Sequence, residues 1–296
     1  MPEYVFFTDN SSEITPENCA NLDIQRVNIG CNFEQSILSN LDDVDEFYAQ
    51  LSLDNLAKTA AANPAQFMEA FEPVLDGGKD VLYFGLNSAL SATFNSSLIA
   101  QMELADKYSK RRIVCLDSHC VSGGAGFLAN EVANMRLAGE SLDSVINHIE
   151  TTKLNVIHDF SVNGLKYLKA GGRIGHWTAV IGDILQFRPL LYIDDEGRIE
   201  QASKERGAKK TFNAMVDKLE NNIEDPSGII NIHHGACPDD AAYCAELILN
   251  RPALKHAQVS FGPDYRIGHV IGAHVGHGVI AFFYRGHHRG PLPKQV

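Results

Sequence analysis

The chain has 296 residues, 45% of them hydrophobic and 21% charged, the profile of a globular protein with length for about two domains. Its formal charge of −12 argues against a nucleic-acid partner, because phosphate neutralisation needs a basic surface. No apolar run reaches the roughly 18 residues of a membrane span, and the opening MPEYVFFTDN has no basic segment of the kind that begins a signal peptide. Six cysteines scattered without a CxxC pair predict reduced thiols and a cytoplasmic location.

Along the chain, YVFFTDN (4–10) predicts a strand that ends in polar residues. DDVDEFYAQL (42–51) and NPAQFMEAFEPVL (63–75) predict helices, the second with Asn63 as N-cap and Pro64 at the first helical position. DVLYFGL (80–86) is the next strand. A helix follows from about Ser91, with Phe94, Leu98, Met102 and Ala105 spaced for one buried face. RRIVCLDS (111–118) is a strand, residues 122–139 a helix stopped by Gly139, and Ser141 caps another through about Leu154. Strands alternating with helices predict a parallel sheet.

The second half is less regular. NVIHDFS (155–161) is a strand or a linker, and LKYLKAGGRIG (165–175) ends a helix on Gly171. PLLYIDDEGRIEQAS (189–203) predicts a hairpin turned at Asp195-Glu196-Gly197. A helix (about 208–222), a strand GIINIHHG (228–235) and a helix (about 239–250) follow. QVSFGP, HVIGAHVG and GVIAFFYRG read as short strands, and HHRGPLPKQV as a frayed tail. The expected architecture is α/β in two domains: an N-terminal parallel α/β sheet (1–160) and a C-terminal mixed α+β domain (161–296).

The chemistry concentrates where strands end. GLNSALSATFNSSLIA (85–100) crowds Asn, Ser and Thr between a strand and a helix. Parallel strands put their C-terminal ends on one edge, where ligands bind, and a helix start there offers free N–H groups and a positive dipole end. Ser88, Ser91, Thr93 and Ser96 are candidate anion ligands, Ser91 best placed; the competing reading is simple capping. TDNSSEIT (8–15) and SHCVSGGAG (118–126) add two such loops, the latter with Gly123 and Gly124, so the strand edge reads as a continuous hydroxyl-rich rim. In KTAAANP (58–64), Thr59 either aims a hydroxyl into a cleft or is a solvated loop residue. Arg173 in GGRIG (171–175) suits a carboxylate or phosphate or is a surface Arg favoured at a helix C-terminus, and SKERGAKK (203–210) adds Lys204, Arg206, Lys209 and Lys210, a basic segment or a solvated face. His269, His274 and His277, with His233, His234 and Cys237, raise a metal, but no complete ligand pattern accompanies them. A His between glycines reads better as one polar group aimed into an apolar cavity, donating to a carboxylate and, if protonated, balancing its charge. The chain has no GxSxG, GxxxxGK[ST] or strand-linked GxGxxG.

These segments, in this order, resemble the DegV family of bacterial fatty-acid-binding proteins, which includes the lipid-presenting subunits of the bacterial fatty acid kinase. VFFTDNSSEI is similar to the family's opening strand and TDS-type loop, KTAAANP to its KTSQP-type segment, and GLNSALSATFNSS to its ISSxLSGT run. VCLDSHCVSGGAG, LKAGGRIG, the hairpin with its basic segment, and VIGAHVGHG follow in the family's order. The resemblance implies one long-chain fatty acid in a tunnel between the two domains, its carboxylate held by Thr59, Ser91 and His274. It also implies that Arg173 and Arg206 face the anion or the partner, and that Ser88, Thr93, Gly123, Gly124 and His277 are accessory. The implied role is a carrier, without catalytic residues, cofactor or metal, whose ligand a separate kinase subunit phosphorylates to an acyl phosphate. The chain departs from the pattern at Ala60-Ala61-Ala62, Ala92 and Gly276-His277-Gly278, which implies a thinner head-group network. An enzyme acting on a small phosphorylated substrate at the same strand edge is the alternative.

Overall fold

The computed structural model describes residues 3–33, 38, 40, 42–174 and 187–291. In chain order its first elements are β1 (Tyr4–Asp9), α1 (Pro16–Asn21), β2 (Ile24–Val27), β3 (Gly30–Phe33), α2 (Val44–Gln50) and β4 (Ala57–Ala60). Next come α3 (Pro64–Asp76), β5 (Asp80–Tyr83), α4 (Thr93–Ala105), β6 (Ile113–Cys115), α5 (Gly123–Leu137) and α6 (Leu142–Thr152). The remainder holds β7 (Val156–Ser161), α7 (Lys166–Ala170), β8 (Phe187–Ile193), β9 (Ile199–Arg206) and α8 (Ala208–Asn222). It closes with β10 (Ile229–His234), α9 (Pro238–Leu249), β11 (Gln258–Ser260), α10 (His269–Val275) and β12 (Ile280–Arg285). Gly175 of the GGRIG segment and residues 292–296 of the expected tail lie outside the described residues. No helix among the described residues is long and apolar enough to cross a membrane.

The chain divides into two compact units: Met1–Gly30 with Thr59–Lys153, and Cys31–Lys58 with Leu154–Val296. The first contains a four-stranded sheet in the order β2-β1-β5-β6, every pairing parallel. Such a sheet is covered on both faces, so its central strands are apolar, as β5 shows with buried Val81, Leu82 and Tyr83, while the edge strand β2 leaves Gln25 exposed. Phe7 packs edge-on against Phe71 at 5.0 Å and Phe67 against Tyr83 at 4.8 Å, fastening α3 to the sheet. The α3 start is a capping box: Asn63 accepts from the Gln66 N–H and Gln66 returns a bond to the Asn63 N–H.

Helix α4 buries a different stripe from the one its apolar spacing predicts. Thr93, Ser97, Ala100 and Leu104 face inward, while Met102 is 76% exposed. Small residues let the helix approach the sheet closely, and the Cys115 thiol reaches the Ser97 carbonyl at 3.6 Å. Ser97 satisfies its own hydroxyl on the Phe94 carbonyl at 2.7 Å, so the inward polar stripe leaves no donor stranded.

The second unit is built on a six-stranded mixed sheet, β11-β10-β12-β7-β8-β9. Only β10–β11 is parallel; β10–β12, β12–β7, β7–β8 and β8–β9 are antiparallel. The run NVIHDFS is a strand, β7, and all of its residues are buried because it lies between β12 and β8. Helices α8 and α9 cover one face through Phe212, Met215, Leu219, Cys244 and Ile248 against Ile230, Ile232 and Phe282. Inside this core Lys218 donates to the Asp159 carboxylate, which also accepts the Tyr284 hydroxyl at 2.8 Å. The outer strand β9 carries Glu200, Lys204, Glu205 and Arg206, charges that discourage edge-to-edge pairing.

The segment HVIGAHVG, expected as a strand, is instead the helix α10. Gly272 allows this: a β-carbon there would come within 2.6 Å of the Phe47 ring, so the helix lies directly on α2. Gly276, at φ +72°, ends it and donates back to the Gly272 carbonyl.

Candidate functional site

In the first unit, the three polar loops fall after β1, β5 and β6 of the parallel sheet, and most of their hydroxyls turn inward. Asp9, fully buried at the end of β1, is the organiser. Its carboxylate accepts the Ser11 N–H and hydroxyl (3.0 and 2.5 Å), the Tyr83 hydroxyl (2.9 Å) and the Leu86 N–H (2.8 Å). Gly85 is required there, since a β-carbon would fall 2.0 Å from an Asp9 oxygen. The Ser12 hydroxyl donates to the Asp9 carbonyl, Ser118 to the Gly85 carbonyl and Ser122 to Glu13. The expected continuous rim is thus a scaffold whose 8–15 and 118–126 loops spend these hydroxyls on one another. Sequence reading assigned Asp9 no role; the available signal was an acid closing an apolar strand, which implies an internal donor set.

The third loop keeps a hydroxyl pair. Ser91 and Thr93 oxygens lie 2.9 Å apart, the Thr93 N–H donates to Ser91 Oγ at 3.2 Å, and the Ala62 N–H donates to Thr93 Oγ1 at 3.3 Å. Helix α4 begins at Thr93 with Ala92 in the capping position and no side-chain cap, so Ser91 makes a local turn one residue outside it. When Thr93 donates to Ser91, the Ser91 hydrogen points onward to a further acceptor: a two-hydroxyl relay suited to a carboxylate. The Ala62 bond ties this pair to the segment following β4, and β4 carries half-buried Thr59. Ser88 is a poorer anion ligand, because it is exposed and its N–H faces the Asp117 carboxylate at 3.3–3.4 Å. Gly123 and Gly124 are buried in the first turn of α5, and the Gly124 N–H is spent on the Val121 carbonyl.

In the second unit the candidate residues gather on α7 and α10. Helix α7 ends at Gly171, Gly172 takes φ +70°, and the Arg173 N–H returns to the Leu168 carbonyl at 3.0 Å. That turn holds the Arg173 guanidinium on the Gly171 carbonyl. His274 packs against the same turn: a β-carbon on Gly171 would lie 2.1 Å from its Nδ1. Burial, and then the nearby Arg173 charge, pushes His274 down to about 4. At neutral pH it is therefore an uncharged imidazole, not the charge-balancing cation that its place between glycines suggested, and Arg173 carries the positive charge. His277 has a structural bond, its Nε2 donating to the Leu51 carbonyl at 3.0 Å while its ring meets Tyr48 edge-on at 5.0 Å. Arg206 is exposed at the end of β9, paired in register with Phe187. Among the described residues, no three His, Cys, Asp or Glu side chains gather as a metal site.

This geometry makes Gly171→Ala informative. The added methyl must displace the His274 ring, so the affinity for a carboxylate, which His274 is expected to hold, should fall at least about tenfold, the loss of roughly one oriented hydrogen bond to a charge. The thermal midpoint should move by only a few degrees, because Gly171 has an ordinary φ of −78°. Titration calorimetry beside a melting curve checks both; unchanged affinity removes the reliance of His274 on this contact.

A family model described as "Uncharacterised protein, DegV family" matches residues 5–286. A DegV domain-containing protein of Clostridium perfringens is 35% identical over 298 residues, covering 98% of this chain and 100% of the relative. Among solved structures, a DegV family protein of Thermus thermophilus described for its fatty acid binding superimposes with a TM-score of 0.84 at 24% identity, covering 96% of this chain and 100% of that one. A stearic acid-binding protein of Eubacterium ventriosum gives a TM-score of 0.81 at 18% identity over 96% of this chain and 97% of that one. The parallel sheet, the mixed sheet and their order along the chain are those of these structures, and the sequence match runs almost from end to end: the chain belongs to the DegV family.

Proposed function

We propose that the protein binds a long-chain fatty acid and presents the carboxylate to a fatty acid kinase for phosphorylation to an acyl phosphate. Thr59, Ser91 and His274 hold the carboxylate, while Arg173 and Arg206 face the anion and the partner. The observation that carries the reading is the state of His274: a half-buried, uncharged imidazole pressed on Gly171 beside the cation Arg173. A neutral N–H donor with one nearby positive charge fits a single carboxylate better than a dianionic phosphate. The Ser91–Thr93 relay supplies donors of the same kind. The two similar solved structures are each described as binding fatty acid, which supports the same ligand class here.

The energetics favour a long chain. Each buried methylene contributes about 0.8 kcal/mol, so about a dozen give roughly 10 kcal/mol, against an association cost of about 4–15 kcal/mol. The polar groups then mainly orient the head. In this reading the protein is a carrier with no catalytic residues or cofactor of its own, and the kinase supplies the phosphoryl chemistry.

The test is to denature protein purified from lipid-containing cells and identify what it releases by mass spectrometry. A stoichiometric long-chain fatty acid is the expected result. Protein that releases none, and takes up none when oleate or stearate is added, rules the reading out.

A further inference from the structure

The outward face of α8 carries charges that its own unit pairs incompletely. Lys209 and Lys210 stand at the start of the helix, and Asp217 and Glu220 lie toward its end; the first turn holds no acid and the last no base. That order runs against the helix dipole, which favours acids at the N-terminus and bases at the C-terminus. Lys210 and Asp217 are both exposed. They stand about 10 Å apart along the axis, beyond the three- or four-residue reach of a pair on one helix. Arg251, just past α9, reaches Asp217 and, at 3.7 Å, Glu220, so one cation serves two carboxylates. Lys209 rests over the Tyr243 ring at 5.8 Å, and Lys210 has no ion pair among the described residues. Glu205, on β9, borders the basic end and accepts the Ser203 hydroxyl at 3.2 Å.

The shape of this face matches its charge pattern. Glu205, Lys209, Lys210, Asn213, Ala214 and Asp217 line a shallow depression of about 470 Å³. Lys210, Ala214 and Asp217 follow at the spacing that keeps them on one face of the helix, with Lys209, Asn213 and Glu220 along one flank of it. The stripe is centred between Asn213 and Ala214, two half-buried residues without charge. Laying a second copy of the helix antiparallel, about a two-fold axis through that centre, puts Lys210 of each copy opposite Asp217 of the other. A two-fold axis between facing helices keeps each flank on its own side, so Lys209 of each copy also approaches Glu220 of the other. The two helix dipoles then oppose each other, and every contact occurs twice, as an isologous interface requires.

We infer that the outward face of α8 is the contact surface of a homodimer, held by reciprocal Lys210–Asp217 and Lys209–Glu220 ion pairs between antiparallel helices. A uniformly acidic or uniformly basic partner would be repelled by one half of the stripe. The fitting partner carries the reverse order of charge along its length, and an antiparallel copy of this chain does so. A contact limited to one helix face belongs with the small, transient interfaces below about 1,200 Å², and exposed ion pairs each contribute little. The dimer is therefore weak, with a dissociation constant of roughly 10–100 µM, and it dissolves in salt.

Sedimentation equilibrium of the full chain tests this. Wild type is expected to dimerise at low salt and to be monomeric in about 1 M salt, where the screening length is about 3 Å. Lys210→Glu brings two acids together at each contact and should weaken the dimer at least about tenfold. Asp217→Lys brings two cations together and should do the same. Each variant repels itself but complements the other, so an equimolar mixture should regain most of the wild-type association. Circular dichroism shows whether each variant has folded; should Asp217→Lys fail to fold without its Arg251 contact, Lys210→Glu and the salt dependence decide alone. The inference is overturned if wild type stays monomeric at low salt up to about 1 mM. A dimer that ignores Lys210→Glu is formed by another surface and overturns it equally, as does a mixture of two folded variants that fails to associate.

Discussion

Replacing Lys218 with methionine is expected to lower the free energy of unfolding by about 3–5 kcal/mol, the usual consequence of leaving one member of a buried ion pair behind. Lys218 is 5% exposed and its partner Asp159 is 0% exposed. In the variant, Asp159 keeps, among the described residues, only the Tyr284 hydroxyl as side-chain donor, and Tyr192 loses the ammonium seated 5.2 Å from its ring. The carboxylate is then left in an apolar core without its counter-ion. Urea unfolding followed through this unit measures the loss. The double variant Asp159→Leu with Lys218→Met should regain much of the loss, because replacing both members removes the uncompensated charge. A single-variant loss under about 1 kcal/mol means that the pair is solvated and that the core is more open than its burial indicates.

The second large effect concerns the ligand. Thr59→Ala combined with Ser91→Ala is expected to weaken fatty acid binding by at least about 100-fold, since hydrogen bonds to a charged group contribute about 1.5–3 kcal/mol each. Stability should change little: Ser91 gives up only the local bonds with Thr93, and Thr93 keeps the Ala62 N–H. The fatty acid methyl ester supplies the control. It lacks the carboxylate charge, so the double variant should bind it about as well as wild type does. In a reaction reconstituted with a fatty acid kinase as the proposed partner, the variant should yield no acyl phosphate. A loss below about threefold, or an equal loss for acid and ester, would move the carboxylate site away from these hydroxyls.

Both effects show where linear reading succeeds and where it stops. In the parallel sheet of the first unit β1, β5 and β6 were legible because they are apolar runs separated by helices, and Asn63-Pro64 marked the start of α3; the edge strand β2 was missed because Gln25 and Arg26 interrupt it. The strand β7 was ambiguous because a central strand shows no alternation between polar and apolar residues. The buried stripe of α4 was misread because its inward face is Thr93, Ser97 and Ala100, residues chosen for close approach rather than hydrophobicity. The helix α10 was misread because a glycine-rich apolar run has no period of its own; the contact between Gly272 and Phe47, more than two hundred residues earlier, decides it.

By itself, the order of motifs along the sequence determined the family and two sheets of different kinds, because apolar runs, glycine turns and caps act over a few residues and survive in one dimension. Which hydroxyls remain available for a ligand was decided only in three dimensions. Ser11, Ser12, Ser118 and Ser122 are chemically equivalent to Ser91 in the sequence, but each finds an acceptor within the fold. The charge state of His274 was decided the same way. An imidazole takes its proton affinity from the burial and the Arg173 charge around it, and neither exists until the chain has folded.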